Sequence, residues 1–159
     1  MQKGLVMIDS PSLQRKYYTA VELWLLKNVE LIYMLYPWKI LLRSVCRGVS
    51  ITKYGRKLMF DMMMTYNGNK KRYTRLAGHG YKILAQAIEK KLTYKVNCPY
   101  MVLCGKEDRA GSCLRYLKAY EKNTGKSIKW IKNAGHNSNT DRPEKVNRLI
   151  DEFLEGVIC

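Results

Sequence analysis

Acidic residues are scarce in this chain. Thirteen Asp and Glu stand against 29 Lys and Arg, leaving a formal net charge of +16 over 159 residues. That imbalance raises nucleic acid or an acidic membrane surface as partners, although net charge bears on association and solubility rather than on fold. Long apolar runs are also missing. The early run Leu5 to Ile8 ends at Asp9, too short for the apolar core of a secretory signal. The greasiest stretch, Val21 to Leu42, is interrupted by Glu22, Lys27, Asn28, Glu30, Pro37 and Lys39. A membrane span needs about 20 mostly apolar residues, so none is expected. An interfacial amphipathic helix stays open there, but apolar helices usually pack on their own protein.

Paired cysteines are lacking too. The five cysteines, Cys46, Cys98, Cys104, Cys113 and Cys159, form no CxxC pair. The two histidines, His79 and His136, lie far from any such pair. This spacing argues against a structural zinc site, and no cofactor is expected. Without an export signal, reduced thiols in a cytoplasm are the simpler expectation. What is present is ordinary for one globular domain: 47% hydrophobic and 26% charged residues, which argues against disorder.

Three short apolar runs read as strands. Gly4 to Asp9 holds Leu5-Val6-Met7-Ile8, Tyr100 to Cys104 is Tyr-Met-Val-Leu-Cys, and Ile128 to Lys132 holds Trp130 and Ile131. Continuously apolar strands bounded by turn residues suit a parallel sheet buried on both faces. Val146, Leu149, Ile150, Phe153, Leu154 and Val157 fall at helical spacing and mark a terminal amphipathic helix, with Asp141 and Pro143 as starter residues. An earlier helix runs from about Ser112, as N-cap, to Asn123, and Gly125 ends it. Residues 105–127 are long enough for the crossover that parallel pairing requires. The middle, from about Arg15 to Lys91, reads as helices punctuated by Pro37, Gly48, Gly55, Asn67-Gly68-Asn69 and Gly78-His79-Gly80.

In open parallel sheets, ligands bind beyond the carboxyl ends of the strands. Two loops leave such ends here: Gly105 to Gly111, carrying Asp108, and Asn133 to Asn139, carrying His136. An acid that hydrogen-bonds an imidazole fixes its tautomer and stabilises the imidazolium. The imidazole can then act as general base towards a nucleophile. Singly, each residue reads as an ordinary loop residue. Together, at strand ends in the order acid then histidine, they read as chemistry.

The segments "NCPYMVLCGKEDRAG" and "IKWIKNAGHNSNTDRPEKVNRLIDEFL" resemble the C-terminal end of the α/β-hydrolase superfamily. Gly105, Asp108, Ala134, Gly135 and His136 carry the match, with the closing helix from Pro143 to Phe153. The resemblance implies a partial α/β-hydrolase fold, with about three parallel strands, flanking helices and a helical cap. Residues 1–14 and 92–159 would form the core and residues 15–91 the cap or lid. It implies that Asp108 is the triad acid and His136 the general base, acting on a small ester, amide or related carbonyl substrate.

The nucleophile of such enzymes sits upstream on a Gly-x-Ser-x-Gly turn between strand and helix. No such turn occurs here. Gly48-Val49-Ser50-Ile51-Thr52 comes nearest, but it lacks the last glycine and follows a helical stretch. Ser112 reads as a helix cap, and Ser10 and Ser12 follow a strand that the resemblance places after the nucleophile. The chain therefore resembles the C-terminal portion of a serine hydrolase, expected to be inactive alone, with a separate N-terminal half as a conceivable partner. Epoxide and dehalogenation chemistry in this superfamily uses an acidic nucleophile, which would also lie upstream. The reaction type stays open at this stage.

Met59, Phe60, Met62, Met63, Met64 and Tyr66 could line a cap pocket or simply form core. His79 reads as a turn residue of the cap. The alternative function is a non-catalytic basic module. Lys70-Lys71-Arg72-Tyr73 interleaves charge with an aromatic, as phosphate contact and base stacking require. Against it, the basic residues are spread over every segment, without a nucleic-acid-binding signature.

Overall fold

The computed structural model describes residues 3–10, 12–92 and 96–158, so Cys159 lies outside the described residues. The three apolar runs are strands β1 (Leu5–Ile8), β2 (Tyr100–Gly105) and β3 (Lys129–Ile131). They pair in parallel in the order β1-β2-β3. Leu5 to Ile8 lie opposite Tyr100 to Leu103, and Leu103 to Gly105 opposite Lys129 to Ile131. Both sheet faces are covered, which is why β2 is apolar without alternation. Met101 and Leu103 pack with Ile131, Ala134, Val146 and Leu149 on one face. Val102 and Cys104 pack with Cys113, Leu117 and Ile128 on the other.

Helix α6 (Cys113–Thr124) crosses from β2 to β3 and supplies the second of those layers. It ends at Gly125, whose φ of +67° and N–H to the Glu121 carbonyl form a left-handed cap. Ser112 stands at its start, but its side chain makes no capping bond, contrary to the sequence expectation. Helix α8 (Pro143–Ile158) covers the other face through Val146, Leu149, Ile150 and Phe153. Leu154 is exposed and falls off that stripe. The architecture is therefore α/β, a three-stranded parallel sheet flanked by helices.

Among the described residues between β1 and β2 lie a 3-10 turn (Arg15–Tyr17) and five helices: α1 (Ala20–Lys27), α2 (Val29–Leu35), α3 (Trp38–Val49), α4 (Lys53–Met64) and α5 (Lys70–Glu89). Thr19 and Glu22 close a reciprocal capping box on α1. The Asn67-Gly68-Asn69 turn separates α4 from α5, with Gly68 at φ +81°. Helices α1 and α2 both pack on α5. Leu41, Cys46, Met63 and Tyr73 form one core, and Tyr18, Leu23 and Ile88 another.

Gly78-His79-Gly80 is not a turn, because all three residues lie inside α5. A Cβ on Gly78 would stand 2.5 Å from the Glu30 Cβ of α2, so this glycine serves close helix contact rather than chain reversal. His79 is exposed on α5. Gly48 and Gly55 likewise lie inside α3 and α4. Met63 is fully buried with Met59 and Tyr66 packed nearby, while Phe60, Met62 and Met64 face outward. Much of the methionine stripe is thus core or surface. Tyr73 is buried against Tyr33, Trp38 and Tyr66, so it offers no face to a nucleic-acid base.

Candidate active site

The acid loop leaves β2 at Gly105, and the histidine loop leaves β3 after Ile131. Asn133, at φ +56°, turns the second chain back across the first, a conformation that Asn tolerates better than most residues. The two loops bond directly. The Lys106 amide donates to the Ile131 carbonyl at 2.9 Å and the Glu107 amide to the Ala134 carbonyl at 3.1 Å. The Ala134 amide returns a bond to Glu107 Oε2 at 3.1 Å. Contact is so close that a Cβ on Gly105 would lie 2.1 Å from the Gly135 carbonyl oxygen. Only glycine fits there.

Two buried carboxylates fasten this crossing to the rest of the chain. Asp9, at the end of β1, accepts from the Gly105 amide at 2.9 Å and the Ser138 amide at 2.8 Å. Burial pushes its pKa up, against the pull of those bonds. Asp141, in the short helix α7 (Ser138–Asp141), accepts four bonds. They come from the amides of Ile51, Thr52 and Gly135 and from the Thr52 hydroxyl, at 2.7–3.1 Å. The α3–α4 connection is thereby tied to the histidine loop, and the Asn137 amide adds a bond to the Val49 carbonyl at 2.9 Å. In the sequence, Asp9 marks the end of a strand and Asp141 the start of α8. Neither anchoring role is legible there, since the only local signal is an acid beside a turn.

On this frame Asp108 and His136 meet. Asp108 Oδ2 lies 3.0 Å from His136 Nδ1, and its Oδ1 accepts the Ala110 amide at 2.7 Å in an Asx turn. The acid side chain is fully buried, whereas that of the histidine is 30% exposed. Burial would raise the Asp108 carboxyl, but the imidazole and the Ala110 amide hold it below its usual value. The Asp108 bond in turn raises the His136 pKa from 6.5 to about 10, with a contribution from the Cys113 thiol beside the ring. At neutral pH the two form an ion pair.

Among the described residues, no serine hydroxyl hydrogen-bonds His136. Ser12, Ser50, Ser112 and Ser138 are buried, and the Ser10 hydroxyl turns to the Ile8 carbonyl at 3.5 Å. The Cys113 thiol is nearest in kind to a nucleophile. It is held below its usual pKa by the neighbouring Cys104 thiol, against the opposing pull of burial. It is buried and donates to the Ser10 carbonyl at 3.4 Å, so it is not presented to a substrate. Cys104 and Cys113 lie with their sulfurs 3.9 Å apart, and Cys104 Sγ is 3.9 Å from Asp108 Oδ2. A cavity of about 340 Å³ lies elsewhere, between β1, β2 and α6, lined by Met7, Ser10, Tyr100, Tyr116 and Tyr120 among others. Neither Asp108 nor His136 lines it.

No protein-family profile matches the sequence, and no curated protein sequence does. The fold does have a solved counterpart, a thermophilic esterase from Thermogutta terrifontis with malate bound. The two superpose with a TM-score of 0.60 over 98% of this chain at 16% identity. The chain spans 56% of the esterase's length. Among the described residues, no helix is long and apolar enough to cross a membrane.

Proposed function

We propose that this chain carries the acid and base of a hydrolase of carbonyl substrates, and that residues 15–91 act as its cap. The observation that carries this reading is the 3.0 Å Asp108–His136 bond at the carboxyl ends of adjacent parallel strands. The esterase likeness in fold supports it. Asp108 holds the ring by Nδ1 and leaves Nε2 for a nucleophile. His136 takes the nucleophile's proton and later returns it to the leaving group, and Asp108 stabilises the imidazolium between those steps. A serine ester or amide mechanism through an acyl-enzyme fits this order of acid and histidine.

A base must be neutral before it acts, whereas His136 is charged here at neutral pH. A nucleophile-bearing segment seated over its exposed edge would add desolvation, which lowers an imidazole pKa towards the working range. The activity therefore belongs to an assembly in which such a segment covers the pair, and the 159 residues by themselves are inactive.

Ester turnover tests this directly. The purified chain should leave p-nitrophenyl acetate at its background rate. Co-expression with a segment that carries an apolar strand and a Gly-x-Ser-x-Gly turn should restore turnover. His136→Ala and Asp108→Asn should each remove at least a hundredfold of that rate. Turnover by the chain alone that His136→Ala abolishes would overturn the inactivity. Restored turnover indifferent to both substitutions would overturn the pair.

A further inference from the structure

We propose that Cys104, Cys113 and Asp108, with His136 as fourth ligand, form a buried site for one thiophilic divalent cation such as Zn2+. This goes beyond the hydrolase reading and does not rest on it. The ligand atoms of Cys104, Asp108 and Cys113 all lie within 4.8 Å of one another, and all three residues are buried. His136 Nδ1 is 3.0 Å from the Asp108 oxygen that faces Cys104, and its ring lies beside the Cys113 thiol.

Three separations match those of zinc ligands in a tetrahedron. Zn–S bonds of about 2.3 Å put two thiolates roughly 3.8 Å apart around one ion. The sulfurs here are 3.9 Å apart. A thiolate and a carboxylate oxygen on zinc stand roughly 3.5 Å apart, and an imidazole nitrogen and that oxygen roughly 3.3 Å. The corresponding distances are 3.9 and 3.0 Å. Each of these three edges is within about half an ångström of its ideal, and rotation of the His136 ring would bring its nitrogen to the remaining corner.

Chemistry selects the ion. Two sulfur donors favour zinc over magnesium or calcium, which take oxygen ligands. The elements that deliver the donors are rigid: Cys104 is the penultimate residue of β2, Cys113 begins α6, and the Asx turn holds Asp108. The cysteines are nine residues apart, outside the CxxC spacing of ribbon sites, so the sequence concealed the pair. Binding releases the two thiol protons and the imidazolium proton, so affinity climbs with pH. The bound ion takes both Asp108 and His136, and in that state neither can serve as acid or base to a nucleophile.

Cobalt is a spectroscopic stand-in for zinc. The full chain, reduced with a phosphine and kept anaerobic, is titrated with Co2+. The expected result is one equivalent bound, with a thiolate-to-cobalt charge-transfer band and tetrahedral visible bands, both erased by Zn2+. Cys104→Ser and Cys113→Ser should each weaken binding at least tenfold and diminish the charge-transfer band. Cys46→Ser and Cys98→Ser should leave both unchanged. His136→Ala, at the partly exposed end of the cluster, should weaken binding about tenfold in a chain whose circular dichroism is unaltered, which guards against misfolding of the buried variants. An octahedral spectrum, no charge-transfer band in folded wild-type chain, or a band that survives loss of Cys104 and Cys113 would overturn the site.

Discussion

Asp108 and His136 are 28 residues apart in sequence and share a 3.0 Å hydrogen bond, with the carboxylate fully buried and the histidine side chain 30% exposed. Their loops cross so tightly that Gly105 has no room for a side chain. The bond ranks low in exposure and high in electrostatic consequence, because it sits where water cannot screen the acid.

The imidazole should titrate late. Proton NMR of the His136 ring should give a pKa well above the usual 6.5, towards about 10. Asp108→Asn should bring it back by about two units or more, since a neutral amide no longer favours the charged ring. A ring that titrates near 6.5 in the wild-type chain contradicts the ion pair.

Stability should follow the same protons. A histidine whose pKa is raised on folding contributes stability that is complete below its unfolded value and lost as pH rises through its folded one. For His136 that loss spreads from 6.5 to about 10. Asp108 is depressed, so its share is complete above 3.8 and disappears as pH falls through its lower folded value. The midpoint of thermal unfolding should thus separate wild type from His136→Gln most near pH 5–6 and progressively less on the alkaline side. A gap that widens with pH would reverse the assignment.

Asp141→Ala should cost about 3 kcal/mol of unfolding free energy, because three backbone amides and a hydroxyl lose a charged acceptor in a buried place. Urea unfolding measures it. The Gly135 amide is among those released, so the substitution should also broaden the His136 resonances. A loss under 1 kcal/mol would show that water replaces the carboxylate.

Gly105→Ala should be destabilising by about 3 kcal/mol, as overpacking against backbone cannot be relieved by a rotamer change. The new methyl would meet the Gly135 and Ala134 carbonyl oxygens at 2.1 and 2.4 Å. The same experiment on Gly80, whose Cβ position is open, should show no loss and a small gain in helix stability.

Met63→Ala should cost about 3 kcal/mol, because Met63 is fully buried between Leu41, Cys46 and Tyr73. Met62→Ala, on the exposed side of the same helix, should cost under about 1 kcal/mol. Equal losses would return the methionine stripe to a single face.

What periodicity encodes was legible in the amino-acid order. Leu5 to Ile8, Tyr100 to Cys104 and the stripe Val146, Leu149, Ile150 and Phe153 declare which residues leave water, and the hydrophobic effect acts on that order locally. The crossover length between β2 and β3 then requires parallel strands, which sends Asp108 and His136 to one edge. Glycines were read less well. Gly68 and Gly125 do turn the chain, but Gly78 and Gly55 lie inside helices, where a missing side chain admits Glu30 or Asp141 rather than a bend. A glycine looks the same in sequence whether it frees φ or makes room for a neighbour.

The remainder was decided by tertiary structure. Asp9 reaches Ser138 across 129 positions, and Asp141 reaches Ile51 across 90. Cys104 and Cys113 face each other only because a strand end and a helix start converge. Hydrogen bonds and ligand clusters of this kind depend on distances of a few tenths of an ångström between segments that share no local pattern. The sequence determined which faces would be buried. Folding alone decided which buried polar atoms would meet.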